Sequence, residues 1–202
     1  MSATVPLFPL PGVVLFPHMV LPLHIFEPRY RQMTEDALRG DRLVGMTLLK
    51  PGWQANYLGS PEVHPIIGVG KIIREERHES GTFDIVLSGL SRARIIEEVP
   101  SEKQYRIARV EYLEDDSHGI EDTIGDLKGL AAQLSPLLND AELDPTISVG
   151  TILDLVAARY LRESGKRQSV LEELSVLSRA KLVMSLLTPK PATVRHSKPS
   201  PN

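Results

Sequence analysis

The sequence predicts an α+β protein: a mostly antiparallel β-barrel with one short helix, followed by a C-terminal helical bundle. Three observations carry this. Short apolar runs with period-two alternation fill the chain as far as Leu113. Gly, Pro, Asn and Ser clusters separate those runs. Beyond the acidic stretch Glu114-Asp115-Asp116 the apolar period becomes helical. A chain of 202 residues can build one larger domain or two small ones. Hydrophobic residues make up 42% and charged residues 24%, which is ordinary for a soluble globular protein.

The first strand is read at Val13–Phe16, closed by Pro17. The second is Met19–Phe26, where Leu21, Leu23 and Ile25 share one face; Pro22 demotes it to an edge or bulged strand. Pro28 is placed to open a helix that runs to Arg39, with Tyr30, Met33 and Ala37 on its core face and Gly40 as its stop. Leu43–Leu49 returns to strand, and Pro51–Pro65 is a long loop. Ile66–Glu76 and the segment from Phe83 form a hairpin around His78-Glu79-Ser80-Gly81-Thr82. Gly89 is read as a break, Arg92–Val99 as a further strand, and Tyr105–Leu113 as the last.

The second half is read as four helices. Ile120, Ile124, Leu127, Ala131, Leu134 and Leu138 form one stripe. Asp144 and Pro145 are read as N-cap and first residue of the next, whose core face is Val149, Ile152, Leu153, Val156 and Tyr160. Ser169 and Glu172 have the spacing of a capping box for a short third helix. Ser175 caps a fourth with Val176, Ala180, Val183 and Leu187. The expected organisation is residues 1–116 as barrel, 117–188 as bundle and 189–202 as a disordered tail.

Composition removes several functions. A net charge of -3 gives no general attraction to nucleic acid or anionic membrane. The sequence has no cysteine, which excludes disulfides, thiolate metal sites and a cysteine nucleophile. It has no apolar run near the roughly 18 residues of a membrane span. Its N-terminus lacks a signal peptide's charged region, and Pro6, Pro9 and Pro11 would break a helix there. The expected location is the cytoplasm.

His24 and Glu27 form H-x-x-E, but a proline follows and the other histidines are scattered, so no metal is expected and His24 is assigned to a backbone hydrogen bond. Glu27 with Arg29 and Arg31 reads as a salt bridge at a helix N-terminus. Ser88-Gly89-Leu90-Ser91 does not match a nucleophile elbow. Gly68 and Gly70 share one strand face and point to close backbone approach. Trp53 and Tyr57 are either binding anchors or residues that fold back to cap the barrel. Arg92, Arg94, Arg106 and Arg109 are the residues from which a nucleic-acid patch could be built.

The stretch "PLFPLPGVVLFPHMVLPLHIFEPRY" resembles the start of the N-terminal domain of Lon-type ATP-dependent proteases. "GVGKIIREERHESGTFDIVLSGLSRARI" and "YRIARVEYLEDD" resemble that family's later strands, in order, and the resemblance spans roughly residues 5 to 187. It implies a PUA-like barrel and a helical bundle that recognise substrate and support assembly. The sequence contains no G-x-x-x-x-G-K-[ST] phosphate loop, since Gly68-Val69-Gly70-Lys71 has neither the spacing nor the following hydroxyl. The expectation is therefore a stand-alone, non-enzymatic module without cofactor that binds unfolded or partly unfolded polypeptide. Phe16, Phe26, Tyr30, Trp53 and Tyr57 are the expected contacts, and Pro17, Pro22, His24, Glu27, Pro28 and Arg29 the structural motif. The alternatives are an RNA-binding barrel or an accessory subunit docking on a separate ATP-dependent protease.

Overall fold

The computed structural model describes residues 2–57, 59–118 and 147–187. Strands β1 (Ser2–Leu10), β2 (Val20–Ile25), β3 (Leu43–Leu48), β4 (Ile66–Arg77), β5 (Phe83–Glu98) and β6 (Ile107–Leu113) form one sheet. Its order is β2-β5-β4-β3-β1-β6, and β6 pairs again with β5. Five strands therefore close on themselves and β2 hangs outside β5. The sheet is barrel-like, and β1–β3 is its parallel pair. Helices α1 (Pro28–Arg39), α2 (Val149–Tyr160), α3 (Ser164–Glu172) and α4 (Val176–Leu187) complete the described elements.

The opening strand is Ser2–Leu10 rather than Val13–Phe16, and it contains Pro6 and Pro9. The ladder tolerates both because β1 changes partner midway. Residues 2–6 pair with β6 and residues 7–10 with β3. Leu7 N–H donates to Arg106, so odd residues face β6 and even residues face β3. Pro6 faces β3 before that pairing starts, and Pro9 faces β6 after that pairing has ended. Neither ring removes a ladder donor.

Val13–Phe16 instead crosses the sheet as an extended segment. Its backbone lies against glycines: a Cβ on Gly68 would strike the Leu15 carbonyl, and one on Gly89 the Phe16 carbonyl. The expected close approach at Gly68 and Gly70 is present, and Leu15 is what approaches. Gly89 does not end a strand; β5 continues through it for 16 residues. Leu15 enters a core cluster with Met33, Ile72 and Phe83, while Phe16 enters another with Leu153, Val156 and Val170. Adjacent residues thus pin the sheet interior and the helices together.

Pro22 lies on β2, whose one strand partner among the described residues is β5, so the edge reading holds there. Pro28 opens α1 as expected, and Tyr30, Met33, Thr34 and Ala37 are buried. The hairpin turn forms with Gly81 at φ +77°. Helix α2 begins after Ser148, whose side chain accepts from Thr151 N–H. The 120–138 stripe, the Asp144–Pro145 cap and the 189–202 tail lie outside the described residues. Ser169 and Glu172 do not open a helix: they close α3, which already runs from Ser164, and Ser169 Oγ donates back to Lys166.

The helices dock on the sheet through buried charge. Arg92 of β5 reaches Asp154 of α2 at 2.5 Å and donates to the Leu171 carbonyl at 3.0 Å. Arg179 of α4 pairs with Asp115 at 2.6 Å and approaches Asp154 at 3.4 Å. A Cβ on Gly150 would collide with the Asp115 carboxylate, so this glycine makes room for the network. Burial raises the Asp154 carboxyl above its ordinary value, against the pull of both guanidiniums. The expected boundary after Asp116 is stitched to the helices: Asp116 N–H donates to Leu174, and Val176 N–H donates to Asp116.

Candidate functional site

The β2-to-α1 corner organises the site. Glu27 is the last extended residue before α1. Its carboxylate accepts from Arg29 Nε at 3.0 Å and from the Tyr57 hydroxyl at 2.7 Å. The Arg29 guanidinium lies between two rings, 4.5 Å from the Tyr30 centroid and 4.8 Å from that of Tyr57. Trp53 meets Tyr57 edge-on at 5.3 Å. The loop after Pro51 is thus folded back on α1. Its short 3-10 turn, Trp53–Asn56, starts from Gly52 at φ +88°. Trp53 and Tyr57 keep part of their surfaces open to solvent.

Beside this cluster lies an open groove of about 410 Å³. Pro9, Tyr30, Val99, Tyr105 and Ile107 give it apolar surface; Arg29, Lys103 and Arg106 edge it. The β1 partner switch reappears here, because the Pro9 carbonyl that no ladder uses accepts from the Tyr30 hydroxyl at 3.3 Å. The Tyr30 ring rests on Phe8 at 4.3 Å. The far wall is latched to α1 through Asp36, which accepts from Tyr105 at 2.9 Å and Lys103 at 3.0 Å. Burial, then the Asp36 carboxylate, pushes the Tyr105 phenol up to about 12. Partial burial raises the Asp36 carboxyl, but Lys103 and Tyr105 outweigh it and hold the group below its usual value. Burial and the bond to Glu27 raise the Tyr57 phenol. The cations at the rim are paired, Arg29 with Glu27, Lys103 with Asp36 and Arg106 with Glu98, so the groove offers mixed polar and apolar contact with its cations already engaged. Such a surface suits an extended chain rather than a small anion.

The sequence-predicted residues divide into three groups. Glu27, Arg29, Tyr30, Trp53 and Tyr57 come together here. Phe16 has no exposed surface and belongs to the core, which removes it from any contact with a bound chain. Phe26 is 62% exposed but lies beside His24 at 6.2 Å, on the outer face of the corner. Pro17 is buried after the crossing segment, while Pro22 and Pro28 shape the corner. His24 does not bond backbone as expected: Nδ1 lies 2.6 Å from the Asp84 carboxylate.

All four arginines weighed for nucleic acid have carboxylate partners. Arg92 pairs with Asp154 and Asp115, Arg94 with Glu111, Arg106 with Glu98 and Arg109 with Glu97. Val99, Tyr105 and Ile107 were missed as groove residues. The sequence shows a turn there but not which helix the turn faces.

A closed strand ring crossed by a Pro-rich segment and capped by helices is the fold of Lon N-terminal domains. The Lon N-terminal domain protein from Xanthomonas campestris superposes with a TM-score of 0.67 at 24% identity, covering 92% of this chain and 99% of that one. The N-terminal domain of Mycobacterium avium complex Lon protease gives 0.69 at 18% identity, covering 92% and 98%. The model of the ATP-dependent protease La (LON) substrate-binding domain matches residues 4–189, and the chain belongs to that family. Lon protease 2 of Myxococcus xanthus is 30% identical over 195 residues. Lon protease of Anaeromyxobacter dehalogenans is 28% identical over 198. The chain spans 23% of the length of each of these relatives.

Proposed function

We propose that this chain is a non-enzymatic module that captures unfolded or partly unfolded polypeptide for an ATP-dependent protease. The family's substrate-binding character supports the polypeptide as ligand. The single structural observation that carries the site is the Trp53–Tyr57–Arg29–Tyr30 cluster alongside the open groove. Trp53 and Tyr57, partly exposed and held against the Glu27–Arg29 salt bridge with buried Tyr30 behind it, are rigid anchors that lose little entropy on binding. Selectivity is loose, because apolar contact discriminates poorly between segments. Strand addition at β2 is disfavoured, since Pro22 lacks a donor on the free edge. We read the strand ring as a PUA-like barrel of residues 1–116 and the helices as a subdomain of residues 117–188. Closure of the ring through β5–β6 supports the first part.

The test is fluorescence anisotropy with a labelled, permanently unfolded polypeptide and a single-stranded RNA, each at low and high salt. Polypeptide binding that survives salt and falls roughly tenfold or more in Trp53→Ala and Tyr57→Ala is expected. Salt-sensitive RNA binding alone would overturn the proposal. So would polypeptide binding that neither substitution alters.

A further inference from the structure

On the opposite face of the β2–α1 corner, His24, His78 and Asp84 converge. His24 Nδ1 lies 2.6 Å from one Asp84 oxygen, and His78 Nε2 lies 2.8 Å from the other. Potential ligand atoms of all three side chains fall within 4.8 Å of one another. The residues come from separate pieces of backbone. His24 is directly opposite Asp84 in the β2–β5 register. His78 follows β4, and the hairpin closed by its own bonds to Thr82 and Gly81 returns it over Asp84. Glu76 lies opposite Asp84 on the other flank.

We propose that His24, His78 and Asp84 form a binding site for a divalent first-row transition ion of the zinc class. Two imidazoles and a carboxylate are a donor set that suits such an ion and does not suit magnesium or calcium. Ligand atoms at zinc bond lengths of about 2.0–2.2 Å in a tetrahedron stand about 3.4 Å apart. Replacing the two hydrogen bonds with coordination therefore requires each His–Asp separation to widen by less than about 1 Å, with the two imidazole nitrogens, already within 4.8 Å, brought to the same spacing. The side chains are exposed enough to do this, with relative exposures of 56% for His24, 36% for His78 and 52% for Asp84. Their backbones are held in paired strands and a closed turn, so the donors stay together without the ion. Water completes the coordination. The bound ion would clip β2 to the β4–β5 hairpin, a link that among the described strands β2 otherwise has through its pairing with β5.

This proposal is independent of the polypeptide reading, and none of its residues lines the groove. The untagged chain is titrated with zinc chloride by calorimetry. It is then titrated with cobalt chloride, whose visible absorption reports tetrahedral nitrogen and oxygen ligation. The expected result is one saturable site, a cobalt spectrum, and a higher melting temperature with zinc. His24→Ala, His78→Ala and Asp84→Asn each weaken binding about tenfold or more. Circular dichroism shows each variant folded, since the replaced side chains are exposed. No saturable binding, or undiminished affinity in either histidine variant, would overturn the site.

Discussion

Strand β5 carries two ionic clusters, one near its start and one past its middle, and the two behave oppositely. Near its start, Asp84 sits half exposed between two histidines. Further along, Arg92 is 3% exposed and locked to Asp154 and Asp115. The same strand thus presents a charge that can exchange partners and one that cannot. The difference lies in what stands behind each group. Arg92 is covered by α2, α3 and α4, so its charge survives only with partners in place. Asp84 faces water, which screens it and leaves its partners replaceable. Buried charge here aligns helices on a sheet, while exposed charge is free to meet a ligand.

Breaking the buried cluster gives the largest effect. Asp154→Ala takes from Arg92 its nearest counter-charge, leaving it Asp115 at 3.4 Å, and takes one of two from Arg179; it should cost about 3–5 kcal/mol in urea unfolding. Gly68→Ala comes next: the new methyl meets the Leu15 backbone, and the expected loss is about 1–3 kcal/mol by the same measurement. Asp36→Asn loosens the groove wall and costs about 0.5–1 kcal/mol at neutral pH. The Asp36 carboxyl is depressed in the fold, so its contribution is present above the ordinary carboxylate value. It is lost as pH falls through the lower folded value. The difference between wild type and Asp36→Asn should therefore shrink in acid, which thermal melts across pH would show. Asp84→Asn sharpens the contrast by leaving the metal-free unfolding midpoint unchanged within error.

Local rules made much of this fold legible. Pro28 is suited to open a helix, Pro22 points to an edge or a bulged strand, and two glycines on one face announce a close neighbour. β1 was not legible, because its prolines are tolerated only through a partner switch that depends on β3 and β6 together. The segment Val13–Phe16 has a strand's composition but spends it on two cores. At the candidate site, Glu27, Arg29, Tyr30, Trp53 and Tyr57 could be named from the sequence. The wall formed by Val99, Tyr105 and Ile107 could not, since its placement rests on the Asp36 contacts between distant segments. His78 and Asp84 lie just six residues apart around a hairpin that was recognised. What was missing was the β2 register that sets His24 beside them.

Trp53 is the sole tryptophan of the chain, and it rests on Tyr57 beside the groove. The most direct test of polypeptide capture is therefore its emission during titration with a tryptophan-free unfolded polypeptide, at low and high salt. A saturable spectral shift that persists at high salt, and that is lost in Tyr57→Ala, is the predicted result. Unchanged Trp53 emission while the polypeptide demonstrably binds would place capture elsewhere and contradict the assignment of this groove.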